Sequence, residues 1–254
     1  MNDKPVSKTI PAKFFSLLAL LLIMAATPVW AQSSRRDTSN SYLERGKSWL
    51  DKGEYTRAMA DYDLAVASDP NSAQAHFSRA EVRRATKDYA GAIKDYTKAI
   101  ALNGNYTKAW CNRAIALRNQ GKLDEARADL TQAIQLDPDF ADAYYYRGTV
   151  LCQQQQLEQA INDFDVAIRL NPRSAETYND RGVAQHRLGK IVEAMADYNE
   201  AIQRKPAFAK AWLNRGIAEL EQGKLVEAKR DFEKCLQLDP AHKSAVEQLL
   251  QAVR

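Results

Sequence analysis

Apolar residues along most of this chain recur at the spacing of one helix face rather than alternating as in a strand. The stretch from Ala141 to Phe164, ADAYYYRGTVLCQQQQLEQAINDF, reads as two short amphipathic helices with a break near Gln155–Leu157. Laid over itself at a step of 34 residues, the chain repeats this pattern six times without an insertion. The hairpins occupy residues 39–72, 73–106, 107–140, 141–174, 175–208 and 209–242. A period of this length means supersecondary units, each unable to bury its apolar face alone, that stack on their neighbours.

Numbering each unit from 1 to 34 exposes a frame. Place 20 is Ala58, Ala92, Ala126, Ala160, Ala194 and Ala228, and place 24 is Tyr62, Tyr96, Leu130, Phe164, Tyr198 and Phe232. Place 8 is always Gly or Ala, and place 4 is an aromatic except for His76. Small residues at 8 and 20 let two antiparallel helices approach, and the large ones at 4 and 24 fill the space beside them. Gly at place 15 (Gly53, Gly121, Gly189, Gly223) ends the first helix through a left-handed cap. Lys87 and Gln155 stand there in repeats two and four, so looser or differently closed turns are expected. Pro at place 32 closes the second helix in every repeat but the second, which has Gly104.

The small residue at 8, hydrophobe at 17, Ala at 20, large residue at 24, small residue at 27 and Pro at 32 make residues 39–242 resemble a tetratricopeptide repeat (TPR) array. The resemblance implies an all-α, right-handed superhelical solenoid of six helix pairs, with the first helix of each pair lining a concave groove. Arg83, Gln185 and Glu219 depart from its usual hydrophobe at place 11. Residues 243–254 are not a seventh repeat. Ala245, Val246, Leu249, Leu250 and Val253 form one apolar stripe, the mark of a helix that caps an open stack.

Place 7 is Arg throughout (Arg45, Arg79, Arg113, Arg147, Arg181, Arg215), and place 23 is Asp throughout (Asp61, Asp95, Asp129, Asp163, Asp197, Asp231). A ladder of anion-binding arginines is one reading. Structural ion pairs, within a repeat or between neighbours, are the favoured one, because a buried charge is tolerated only when paired.

The N-terminus has another character. Lys4, Lys8 and Lys13 precede the apolar run Phe14–Ala26, and Val29 and Ala31 occupy the small-residue positions of a peptidase site. Residues 1–31 therefore read as a secretory signal cut before Gln32, with the periplasm as the expected destination and 32–38 as a disordered linker. An uncleaved membrane anchor is the alternative, although this apolar run falls short of the ~20 residues that span a bilayer. Formal charge is +4, and without residues 1–31, which hold three Lys and one Asp, it is +2. Near-neutrality without a block of like charges argues against a nucleic-acid partner. Three cysteines, Cys111, Cys152 and Cys235, show no paired spacing. Cys235 replaces a framework Ala and reads as a buried hydrophobe, whereas Cys111 and Cys152 are expected to be free thiols on the solvent-facing first helices.

Catalysis has no visible source. His76, His186 and His242 lie in different repeats, and neither a metal-ligand spacing, a phosphate-binding glycine loop nor a nucleophile elbow occurs. No cofactor, metal or enzymatic activity is expected; an enzyme with a site in the groove is the remote alternative. In a TPR array the inner face comes from places 2, 5, 6, 9, 12 and 13, and here those places vary while the frame does not. The candidate peptide-binding residues are Arg84, Lys108, Asn112, Arg118, Asn119, Tyr145, Tyr146, Asn179, His186 and Arg187. The two tyrosines offer rigid contact area, and Arg84, Arg118 and Arg187 form a basic strip suited to carboxylates. The Asn at place 9 that the family's carboxylate clamp requires is missing. The sequence thus points to an exported scaffold or adaptor for protein segments, or to a membrane-tethered form of it.

Overall fold

A computed structural model describes residues 29–251, with side chains from Ser33 onward. The expected secretory signal, residues 1–31, lies outside the described residues except for its last three. Among those described, the backbone forms thirteen α-helices, one 3-10 turn and no strand. The first helices of the six repeats are α1 (Val29–Asp51), α3 (Ala73–Ala85), α5 (Thr107–Asn119), α7 (Ala141–Gln153), α9 (Ala175–Arg187) and α11 (Ala209–Glu221). Their second helices are α2 (Tyr55–Ser68), α4 (Tyr89–Leu102), α6 (Leu123–Leu136), α8 (Leu157–Leu170), α10 (Ile191–Arg204) and α12 (Leu225–Leu238). After the turn Pro240–His242 comes α13, Lys243–Gln251. None of these helices is long and apolar enough to cross a membrane.

Two compact units divide the chain, residues 1–82 and 83–254. In the first, α1 and α2 form a hairpin around Ala58, Tyr62 and Val82. The second is a run of successive helix pairs, α5/α6 to α11/α12, each packed on the next. Its first helices touch one another directly and approach more closely than the second helices do, which makes them the inner wall.

The turns follow from place 15. Gly53, Gly121, Gly189 and Gly223 all have φ near +75°. Lys87 (φ 64°) and Gln155 (φ 62°) adopt the same conformation, so the expected looser closure at these two turns is wrong. The reason is the capping hydrogen bond that every turn makes: Asp88 N donates to Arg83 O at 2.8 Å and Gln156 N to Leu151 O at 2.9 Å, as Lys122 N does to Leu117 O at 3.0 Å. Satisfying that carbonyl outweighs the ~1 kcal/mol that a left-handed non-glycine residue costs. At the other end of the hairpin, place 31 is extended, as a residue before Pro must be. Where place 31 is Asp or Asn, in every repeat but the fifth (Lys205), its side chain accepts from the amide two residues on, as Asp137 does from Asp139 N at 3.1 Å.

Residues 32–38, expected to be disordered, are instead helical and belong to α1. From Val29 to Arg45 the chain has neither Pro nor Gly, and Ser39 Oγ, buried, donates to Ala65 O at 3.0 Å. Once that anchor holds the downstream turns, each residue added upstream gains a hydrogen bond without a new nucleation cost.

The interior is close-packed where the frame demands it. A Cβ on Gly148 would sit 2.6 Å from Phe164 Cε1, and one on Gly216 2.7 Å from Phe232 Cε1. Where place 24 is the smaller Leu130, place 8 accommodates Ala114. Both ends are finished differently. Ser41 and Ser48 of α1 are exposed at places 3 and 10, which hold buried Ala, Val or Thr in the later repeats. On α13, Val246 is buried and Leu249 and Leu250 pack against the Ala228–Phe232 cluster.

Place 7 joins the repeats. Arg147 donates from Nε and Nη2 to the two carboxylate oxygens of Asp163, at 2.7 and 2.8 Å. Its remaining Nη1 donates to Thr131 Oγ1 of the preceding repeat at 3.3 Å, and its guanidinium lies 5.7 Å from the Tyr144 ring centroid. Arg113 does the same with Asp129, Thr97 and Trp110. Arg181 takes Asp197, Asp165 and Tyr178, and Arg215 takes Asp231, Asn199 and Trp212. Arg45 pairs bidentately with Asp61. Elsewhere in the first unit Arg79 donates to Asp63 at 2.9 Å, and in the second Arg83 donates to Asp95 at 2.8 Å. The arginine is thus both an intra-repeat ion pair and an inter-repeat clasp. These partners hold the Arg147, Arg181 and Arg215 guanidiniums charged, with the carboxylate hydrogen bond as the main cause.

Place 4 adds a second link. Trp110 Nε1 donates to Gly104 O and Trp212 Nε1 to Pro206 O, both at 2.9 Å. His76, the departure from the aromatic pattern, keeps this contact through Nε2, 3.0 Å from Pro70 O.

Candidate functional site

The inner wall of the second unit is built by α5, α7, α9 and α11, together with the end of α3. Its predicted residues fall into two groups, those that link neighbouring helices and those that face outward.

Linking comes first. Tyr145 Oη donates to Asp180 Oδ2 at 2.9 Å, and Asn179 Nδ2 donates to Asp180 Oδ1 at 3.0 Å. Asn214 Nδ2 donates in turn to Asn179 Oδ1 at 2.9 Å. A continuous polar seam therefore crosses from α7 through α9 to α11. Burial pushes the Asp180 carboxyl above its usual range, against the pull of Asn179, Tyr145, Lys210 and Arg118. Tyr145 is pushed far up by burial first and by Asp180 second. Asn179, expected to face a ligand, is buried within this seam. Arg118 Nη1 donates to Thr149 Oγ1 at 2.7 Å, joining α5 to α7. His186 Nε2 lies 2.8 Å from Glu221 Oε2, and Arg187 donates to Cys152 O at 3.3 Å and to Gln155. Asn119 Nδ2 turns back on its own helix, to Ile115 O at 2.7 Å.

The partners of these residues, Asp180, Asn214, Thr149 and Glu221, sit about one repeat away in sequence. An offset of 35 residues between polar places 5 and 6, or 12 and 13, was the signal available to find Asp180, Asn214 and Glu221, whereas Thr149 lies 31 residues from Arg118, between places 12 and 9.

What remains outward is concentrated at the middle of the wall. Tyr146 is half-buried, meets Tyr145 edge-on with centroids 5.0 Å apart, and carries the Arg118 guanidinium 5.8 Å from its ring centroid. Arg84 and Arg118 both act electrostatically on the Tyr146 hydroxyl, whose pKa burial raises. Arg84 and Asn112 are half-buried, and Lys108 and Arg187 are exposed. Cationic and aromatic groups thus converge there, with Asp142 exposed beside them.

The thiols are a correction. Cys111 is buried rather than solvent-facing, because place 5 of α5 lies under the Tyr146 side of α7. Cys152 is half-buried, and burial pushes its pKa up to about 11 despite Arg187. A thiol held protonated at neutral pH is a poor nucleophile. Cys235 is fully buried. Among the described residues no cluster of His, Cys, Asp or Glu is arranged to hold a metal.

Comparison with known proteins places this geometry. No functionally curated protein is significantly similar in sequence. PilF of Pseudomonas aeruginosa superposes with a TM-score of 0.76 at 23% identity, over 87% of this chain and all of that one. MamA gives 0.57 at 26% identity over 65% of this chain and 96% of its own. YrrB, a TPR protein with an unusual peptide-binding site, gives 0.57 at 20% identity over 74% and 96%. Models of the tetratricopeptide repeat match residues 29–107, 111–175, 149–207 and 209–242, which together span most of the sequence. On this match, and on helix pairs packed as in the solved TPR solenoids, the chain belongs to the tetratricopeptide repeat family.

Proposed function

We propose that the protein is an exported, non-enzymatic scaffold that holds an extended segment of a partner protein along its first helices, in the periplasm, in the service of envelope assembly. Tetratricopeptide repeats are protein-interaction modules, and the peptide-binding site of YrrB supports a peptide as the class of ligand. One contrast carries the reading: the place-7 arginine and place-23 aspartate are the same in every repeat, while the inner wall changes residue at each step. In its middle, Arg84 and Arg118 act on Tyr146, with Lys108 exposed on the preceding first helix, a basic, aromatic surface that suits a segment bearing carboxylates. Export rests on the leader, with its lysines, short apolar run and small residues before Gln32.

Binding is tested with fluorescent acidic peptides against the wild type and the Arg118→Gln, Tyr146→Ala double variant. Tighter binding of acidic than of alanine-substituted peptides, lost in the variant, is expected. Equal affinity of both proteins for every peptide would remove the groove from the function. The N-terminal residue of the protein recovered from cells tests export: Gln32 is expected, and Met1 would favour the tethered adaptor.

A further inference from the structure

A second cavity of about 750 Å³ opens on the opposite side of the second unit, between α6 and α8. Its floor is the Arg147–Asp163 pair, and its walls carry the carboxamides of Gln132, Gln135, Gln159 and Asn162. The equivalent cleft one repeat earlier has the same kind of floor, Arg113 and Asp129, but a volume of only about 270 Å³. There Ile93, Glu125 and Ala128 occupy the places that Arg127, Gln159 and Asn162 fill in the larger cleft. A constant frame with an altered lining is the pattern that marks a binding surface, here on the face the groove does not use.

The chemistry of the lining selects its ligand. The charged groups neutralise one another: Arg147 is held by Asp163, and Arg127 lies 3.6 Å from Asp124. Residues of the glutamine run bond to the same pair, Gln154 Nε2 donating to Asp124 at 2.9 Å and Gln156 Oε1 accepting from Arg127 at 3.2 Å. The four wall carboxamides have no hydrogen bond to another described residue. Each offers two donors and an acceptor without charge, the complement of a peptide main chain. No aromatic residue lines the cleft to stack on a sugar ring. We infer that this cleft is a second, independent binding site, taking an extended polypeptide segment with uncharged polar side chains through its main-chain groups.

The test uses the full chain and an array of short N-acetylated, C-amidated peptides of Ser, Thr, Asn, Gln and Gly. Gln132→Glu with Asn162→Asp keeps the side-chain shapes, removes N–H donors and adds repulsion, at one half-buried and one exposed position, and unchanged thermal unfolding confirms that the fold is intact. The expected result is peptides whose affinity falls at least about tenfold in that variant and is unchanged in the groove variant Arg118→Gln, Tyr146→Ala. In the wild type, the side-chain amide resonances of the four carboxamides shift on binding. Absence of binding by any peptide, survival of binding in the cleft variant, or loss only in the groove variant would each overturn the site. Shifts of the same resonances with a chito-oligosaccharide but with no peptide would overturn the ligand class.

Discussion

Arg147→Met tests the frame most directly. It keeps side-chain length and apolar volume while deleting the guanidinium that serves Asp163, Thr131 and Tyr144. Asp163 is buried, and both its oxygens accept from Arg147. Losing one member of a buried pair costs about 3–5 kcal/mol because the other charge is stranded. Since 22% of the Arg147 side chain remains exposed, the lower end of that range, roughly 3 kcal/mol, applies here. The inter-repeat bond is longer and neutral at its acceptor, so Thr131→Val costs about 1 kcal/mol or less. Arg147→Met combined with Asp163→Leu recovers most of the loss, because an apolar replacement leaves nothing unpaired. Urea unfolding, paired with amide exchange in α7 and α8 because repeat arrays unfold in parts, measures all three. A single-variant loss under about 1 kcal/mol, the size of an exposed pair, refutes the buried-pair account. So does a double variant no more stable than Arg147→Met alone. Arg45→Met, at a far more exposed pair, is expected to cost less than Arg147→Met.

Three further outcomes follow from individual departures in the frame. Gly148→Ala forces its Cβ into Phe164 and lowers stability by about 1–3 kcal/mol, and adding Phe164→Leu, which copies the Ala114–Leu130 pair, restores part of it on chemical denaturation. Gly104→Pro raises stability by about 0.5–1 kcal/mol, since Asn103 before it is already extended and the other repeats carry Pro there; a lower thermal midpoint would contradict this. Glu219 Oε2 is buried without a hydrogen-bond partner, and burial, then repulsion from Asp231, raise its pKa. The native state therefore binds this proton more tightly than the unfolded chain, so the residue's stabilising contribution is full below about pH 4.5 and lost as pH rises through the raised value. Glu219→Leu is expected to stabilise the protein by roughly 1–3 kcal/mol at pH 7, a gain that shrinks in acid, and a gain independent of pH would refute the cause.

Much of the fold was legible because its determinants are local and repeated. Gly and Pro at fixed places set where helices end, the small residues at 8 and 20 set how closely they pack, and the six-fold recurrence of Arg and Asp announced a pair before any coordinates. The turns at Lys87 and Gln155 were misread from residue preference alone, since the capping hydrogen bond overrules it. Residues 32–38 were misread from polarity, since helix propagation from Ser39 does not require an apolar face. The inner wall was legible only as a set of positions. Tyr145, Asn179, Arg118 and His186 were all rightly placed on first helices, but which of them faces a partner and which holds a neighbour depends on contacts one repeat away.

Sequence alone determined the hairpin, its period and its caps, because these depend on backbone conformation and on steric size within a few turns. Tertiary stacking alone decided that the place-7 arginine clasps two repeats at once, that Cys111 is buried, that Asp180 anchors a seam across three helices, and that one outer cleft is wider than its equivalent. Each of those facts arises where side chains from separate repeats meet, and a pattern read along one strand of residues carries no distance between them.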